Sequence, residues 1–359
     1  MNHRTFDRPA SNRAPVGRRG VTLLEVCIVV ALAIILAAIS IPALATVGCS
    51  SMRTRSRQNL AALARAHTAY AADWTNRQFT MVPDDVGAFG GCGGYISAGN
   101  CITGASLGTN CNGLNIEFTV GCAGNANCGN FDYVNPIAFS GANVTFGAYR
   151  IPNAAGFQPY VDGRFYSPTF YAPDDAAIIG SVEPYFASRC SYAGVASAPV
   201  WSSYAYSPSA MLGLGVLTRQ AGYKNPNTLA TGYASPPITA AVYPSLKTQI
   251  MEFRAIEGQC APWDTPCDSY QFNQLYEARP LGLMFDGSVR IVSPREAMES
   301  DQRVKVTSSS QFLIEKGLWV RNTPLGPNGV GGAQAYDFLV DTSYHFLTGD
   351  GIAGRDVVE

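Results

Sequence analysis

Charge is what this sequence has little of. Charged residues make up 14% of its 359 positions, against roughly 25% in an ordinary soluble domain. The charges present nearly cancel: 25 Lys and Arg against 26 Asp and Glu leave a formal net charge of −1. By bulk charge this excludes a basic nucleic-acid binder and an acidic disordered chain. Histidine is equally scarce. His3, His67 and His345 are the three in the chain, too few for a His-rich metal site and a thin supply for a histidine-centred triad. There is no CxxC pair, no P-loop, no HExxH and no EF-hand spacing. The expectation is a protein that is not an enzyme and needs no cofactor.

Apolar residues, by contrast, reach 47%, with 36 Gly and 22 Pro. That suffices for a core and predicts many turns and few long helices. The residues are unevenly placed. Residues 1–20 carry Arg4, Arg8, Arg13, Arg18 and Arg19 against Asp7 alone, a net +4, so the remainder holds 20 basic and 25 acidic residues, or −5. From Val26 to Val47 there is no charge, and only Ser40, Pro42 and Thr46 lie outside the apolar set. As a helix such a run rises about 33 Å, enough for a bilayer core. The basic residues before it place the N-terminus in the cytoplasm and the chain from about Ser50 outside. A buried soluble helix without a polar face competes poorly. An ordinary signal peptide, a twin-arginine signal at Arg18-Arg19 and a lipidated Cys49 also compete with a membrane span.

Glu25 separates these readings. A carboxylate at the edge of an apolar helix is costly unless something positive pairs with it, which suits an assembling helix and not a signal peptide. Arg18-Arg19-Gly20-Val21-Thr22-Leu23-Leu24-Glu25 resembles the class III signal of type IV pilins and type II secretion pseudopilins. The resemblance covers about 30 residues and implies several roles. A prepilin peptidase would cut after Gly20, Val21 would become the new and commonly methylated N-terminus, and Glu25 would pair with a neighbouring subunit's N-terminal amine. The family usually has Phe where Val21 stands. Pro42 falls where such pilins loosen the helix, by removing one backbone bond.

Beyond Cys49, Leu60, Leu63, His67, Tyr70 and Trp74 recur at spacings of three and four, one stripe of a helix. Arg53, Arg55, Arg57 and Arg65 lie on or near its other faces. His67 reads as a core-edge histidine, not a ligand. The helix is predicted to end between Asp73 and Asn76.

Residues 90–128 hold ten Gly, six Asn, five Cys and a single charge, Glu117. Cys92, Cys101, Cys111, Cys122 and Cys128 are spaced too widely and unevenly for zinc knuckles. With Cys190, Cys260 and Cys267 they make eight candidates for disulfides in an exported chain, with connectivity open. Local pairing of Cys260 with Cys267 is one option. Cys27 and Cys49 are read as unpaired or intermolecular.

Further on, NVTFGAYRI, GRFYSPTFYA, VWSSYAYS and LGLMFDGSVRIV alternate with turn signals, predicting short strands with long loops. Asp286-Gly287 marks the clearest hairpin, of type I′ if it is a plain two-residue turn. MESDQRVKVTSSSQFLIEK stays unassigned, and TGDGIAGRDVVE reads as an exposed tail. Phe285-Asp286-Gly287-Ser288-Val289 also resembles a C-terminal motif of a pilin-like group abundant in planctomycetes. There a histidine precedes the Asp-Gly with nine residues between. Tyr276 stands at that position, so no role of the histidine carries over. Asp84, Asp85, Asp162, Asp174, Asp175 and Asp350 are candidate calcium ligands, although carboxylate pairs in loops are usually just solvated.

The expected fold is α+β and pilin-like. A long N-terminal helix, transmembrane in its first half and amphipathic in its second, would pack on an antiparallel-sheet head with disulfide-rich loops. The expected parts are a leader at 1–20, a helix at 21–76 with its span at 26–47, and a head at 77–359. The expected role is a structural subunit of a type IV pilus or type II secretion-like filament, a minor one given the large head. The implied partners are a prepilin peptidase, other pilin or pseudopilin subunits, an inner-membrane assembly platform and the lipid bilayer, with no nucleic acid. The implied location is the inner membrane, single-pass, with the head outside. Competing roles are a membrane-anchored adhesin or binding module and a secreted enzyme with an ordinary signal peptide.

Overall fold

A computed structural model describes residues 22–100, 105–118, 152–195, 199–252, 279–307, 317–320 and 348–358. The chain divides into two compact units, Met1–Ser51 and Met52–Glu359. Helix α1, Leu23–Asp73, contributes to both, and each part is described by itself.

The membrane-spanning half of the expected fold is corrected. Among the described residues no helix is long and apolar enough to cross a membrane. The single-pass inner-membrane placement falls with it. The described architecture is α+β with a small antiparallel sheet.

In the second unit, α1 lays one face on the rest of the domain. Ser56, Leu60, Leu63, Ala66, His67 and Ala71 are buried, while Arg55, Arg57 and Arg65 are exposed. The spacing of three and four produces this division directly, except at the helix end, where Trp74 is 53% exposed. The helix stops where Thr75 and Asn76 take positive φ, 51° and 65°. There the Asn76 amide donates back to the Ala71 carbonyl at 2.6 Å, closing the last turn. A β-branched residue at that φ is strained.

After the turn come α2 (Cys92–Ser97) and the hairpin of β1 (Ala105–Thr109) and β2 (Asn115–Phe118). Next are α3 (Ala176–Val182), β3 (Tyr204–Tyr206), α4 (Pro208–Met211), and the minimal pair β4 (Leu217–Thr218) and β5 (Gly222–Tyr223). Then follow β6 (Thr248–Glu252), β7 (Leu281–Met284), β8 (Val289–Ile291) and α5 (Pro294–Thr307). The main sheet runs β3-β6-β7-β8, all antiparallel. Every residue of β3, β6 and β7 is buried, as expected of strands covered on both faces. Register puts Tyr204, Tyr206, Ile250, Glu252, Leu281 and Leu283 on one face, and that is the face α1 covers.

Two expectations change here. The aromatic run 163–172 forms turns and a short 3₁₀ segment, not a strand. Pro168 removes a ladder donor, and Ser167 caps the turn by accepting from the Thr169 amide at 3.2 Å. Its rings still go inward: Phe165, Tyr166, Phe170 and Tyr171 are core residues. The C-terminal stretch is no exposed tail either. Ile352, Asp356 and Val357 are buried, and the Asp356 amide donates to the Leu246 carbonyl at 2.9 Å. The unassigned segment contributes α5, whose first turn is held by Ser293 Oγ accepting from the Glu296 amide at 3.1 Å.

Replacing Leu63, fully buried, by Ala is expected to cost about 2–5 kcal/mol in urea unfolding. Arg57→Ala on the exposed face is expected to stay within about 0.5 kcal/mol. Equal losses at the two positions would contradict this packing.

Candidate assembly site and the buried polar groups

The first unit offers an acid at the head of an apolar surface. Thr22 is the residue before α1, and Glu25 lies three residues further on. The Glu25 carboxylate accepts from the Thr22 amide at 2.8 Å and the Thr22 hydroxyl at 3.0 Å, while the Glu25 amide donates to Thr22 Oγ1 at 3.3 Å. This is a reciprocal capping box, which satisfies helix-start amides that otherwise lack partners. The Thr22 amide, then its hydroxyl, holds the Glu25 carboxyl below its ordinary pKa. Sequence reasoning assigned Glu25 to a neighbouring subunit and missed this contact, although Thr-x-x-Glu before an apolar run is its recognisable signal. From Leu23 on, every described side chain through Leu36 is exposed, Leu23 at 83% and Leu36 at 64%. Such a contiguous apolar surface marks an interaction face.

Gly20 and Val21 lie outside the described residues. The helical backbone continues through Pro42, whose side chain is likewise outside them. Of the candidate cysteines, Cys111 and Cys190 are joined, with Cα atoms 5.1 Å apart at a sequence separation of 79. By loop closure, such a link stabilises by about 4 kcal/mol. Cys101, Cys122, Cys128, Cys260 and Cys267 lie outside the described residues, as do the side chains of Cys92 and Cys49, and so does Tyr276. Cys27 is a free, exposed thiol. His3 and His345 are also outside.

The candidate calcium ligands are spread apart. Asp84 pairs with Arg77, Asp162 with Arg164 at 2.7 Å and Asp350 with Arg219 at 3.4 Å. Asp175 accepts from the Ser203 hydroxyl at 2.8 Å. Among the described residues no group of three His, Cys, Asp or Glu is placed to hold a metal. Gly104-Ala105-Ser106-Leu107-Gly108 spells GxSxG, a match that sequence reasoning passed over. Ser106, however, sits in the β1 strand of a hairpin and donates to Asn115 Oδ1 at 2.8 Å. A nucleophile elbow instead requires a strand-to-helix turn.

Asp286-Gly287 joins β7 to β8. Asp286 Oδ1 accepts from the Ser288 amide at 2.8 Å, and the Gly287 amide donates to the Met284 carbonyl at 3.0 Å. Only Gly287 has positive φ, 83°. The turn is therefore type I closed by a left-handed glycine, not type I′, which needs positive φ at two residues.

Two polar groups fasten α1 to the sheet. Glu252 accepts from the Ser56 hydroxyl and from the Leu281 amide at 2.6 Å, and Ser56 also bonds the Tyr204 hydroxyl at 2.8 Å. His67 stacks on Phe157 with centroids 4.3 Å apart and meets the Tyr206 hydroxyl through Nε2 at 3.1 Å. A third buried group is the ion pair of Lys247 and Asp356, 3.0 Å apart. No family model, curated protein or solved structure matches the chain.

Burial pushes His67 from its ordinary 6.5 down to about 3 and Glu252 from 4.5 up to about 7. The signs oppose. Below 6.5 the unfolded His67 takes a proton that the folded site refuses, so stability falls with pH down to about 3. Folded Glu252 keeps a proton that the unfolded chain releases, so its contribution is full below 4.5 and lost as pH rises to about 7. Between 4.5 and 6.5 the two slopes cancel. His67→Gln is expected to leave stability rising as pH falls from 7 to 5, by about 1.4 kcal/mol per pH unit at most. Glu252→Gln should reverse that slope below 6.5. Urea midpoints at pH 5, 6 and 7 check this; parallel responses in wild type and both variants would contradict it.

Proposed function

We propose that this chain is a structural, non-catalytic subunit of a type IV pilus or type II secretion-like filament. It is cleaved by a prepilin-type peptidase after Gly20 and assembled through its N-terminal helix. The observation that carries this reading is Glu25, a carboxylate at the head of an exposed apolar helix surface. The basic leader and the order Gly20, Thr22, Glu25 support it from the sequence side. Helices of neighbouring copies would cover the apolar surface, each buried Leu or Ile contributing about 1.5–3 kcal/mol. Such packing would strip water from Glu25, and a desolvated carboxylate needs a cation. The new amine of a neighbour's Val21 supplies one, in exchange for the bonds from Thr22.

Two measurements test this. Mass spectrometry of the isolated protein is expected to find Val21 as the N-terminus, and Gly20→Ala to block that processing. A start after Ala45 or at Cys49 would point to export or lipidation instead. Glu25→Ala is expected to be cleaved normally yet absent from sheared filaments; its presence there at wild-type levels would overturn the assigned role of Glu25.

A further inference from the structure

The C-terminal segment is tied into the core through Asp356. Lys247, just before β6, and Asp356 have no side-chain exposure, and Lys247 Nζ lies 3.0 Å from Asp356 Oδ1. Three more groups surround this contact. Ser209 Oγ accepts from Lys247 Nζ at 2.7 Å. The Thr248 amide donates to Asp356 Oδ2 at 2.7 Å. The Thr348 hydroxyl donates to Asp356 Oδ1. The backbones on either side are fixed, because the Asp356 amide bonds the Leu246 carbonyl at 2.9 Å.

We propose that Lys247 and Asp356 condense in the folded protein to an intramolecular isopeptide bond between Nζ and Cγ. The step balances without a co-reactant. A proton passes from the Lys247 ammonium to Asp356 Oδ1, leaving a neutral amine and a carboxylic acid. The nitrogen lone pair attacks Cγ, and the developing charge on Oδ2 falls on the Thr248 amide, placed as an oxyanion donor is. A second proton leaves Nζ and reaches Oδ1 with the Thr348 hydroxyl as relay. The Cγ–Oδ1 bond breaks, one water departs, and Oδ2 returns as the amide carbonyl. Ser209 Oγ holds one N–H and so aims the lone pair.

Three features favour the condensation. The fixed backbones hold amine and carboxyl as one unit, and well-oriented intramolecular reactions reach effective molarities of about 10⁵–10⁸ M. Full burial makes a charged pair expensive, and the amide removes both charges. Desolvation also lowers the Lys247 pKa, in the direction that frees the amine. The link would also close a loop of about a hundred residues, a large constraint on the unfolded chain.

Mass spectrometry of the purified, reduced wild-type protein tests this directly. Counted from whichever N-terminus it carries, the chain is expected to be lighter than its sequence by one water. Trypsin should release a branched species in which the peptide 225–254, uncut at Lys247, carries the peptide that begins at Asp356. Lys247→Arg keeps the charge pair and is expected to show full mass and the two peptides unlinked. Thr348→Val is expected to slow accumulation of the link at least tenfold. A folded wild-type chain of full mass with free peptides, or a lost water mapped elsewhere, overturns the proposal. Failure of the filament reading would leave this result untouched, since the link is read on the isolated chain.

Discussion

One face of the α1 segment from Met52 to Asp73 must be hidden from water, and the second unit is organised around that requirement. Leu60 and Leu63 supply apolar area, but area alone does not fix how a helix sits on a sheet. The polar groups set the register. Ser56 meets Glu252 and Tyr204 near one end, His67 meets Tyr206 farther along, and Asn59 donates to the Pro168 and Tyr171 carbonyls at 3.1 and 3.0 Å. A sliding helix would leave each of these groups buried without a partner, at about 1–3 kcal/mol apiece. The face of the sheet that receives α1 is defined by register, since residues opposite each other across antiparallel strands share a side.

The opposite ends of the chain use acid side chains in unlike ways. Glu25 remains in water, bonded to its own helix start, with its pKa lowered. Glu252 and Asp356 are buried, and burial raises Glu252 toward neutrality, whereas Asp356 sits against a lysine. The same functional group therefore serves as a cap, a neutral hydrogen-bonding anchor and the partner of a cation. Solvent access and the nearest donor decide which. In a chain with so few charges, these three sites carry much of the specificity of the fold.

Much of the helix was legible because its information is local. A spacing of three and four places Leu60, Leu63 and His67 together in any helix, and Asp-Gly between apolar runs makes a turn. The run GRFYSPTFYA misled because aromatic residues favour strands only where a neighbouring strand exists to receive them. Pro168 was the local hint that none would. The C-terminal stretch misled for the opposite reason. TGDGIAGRDVVE has the glycine and acid of a surface loop, and nothing nearby in sequence reveals Lys247, 109 residues away. The disulfide is the same kind of fact, since eight candidate cysteines allow about a hundred pairings and only folding brings Cys111 to Cys190. The transmembrane expectation rested on the apolar content of residues 26–47, and no described helix meets the length and polarity that crossing requires.

The sequence by itself determined the basic start, the ordered motif through Glu25, the helical stripe and the hairpin. Each depends on residues within a few positions of one another, where backbone geometry leaves little freedom. Tertiary structure alone decided which acids are buried, which lysine meets which aspartate, which cysteines join and which aromatics form turns instead of strands. Those outcomes depend on the removal of water and on contacts between distant segments. Desolvation converts an ordinary glutamate, histidine or lysine into a group with a changed affinity for protons, and no local pattern encodes it.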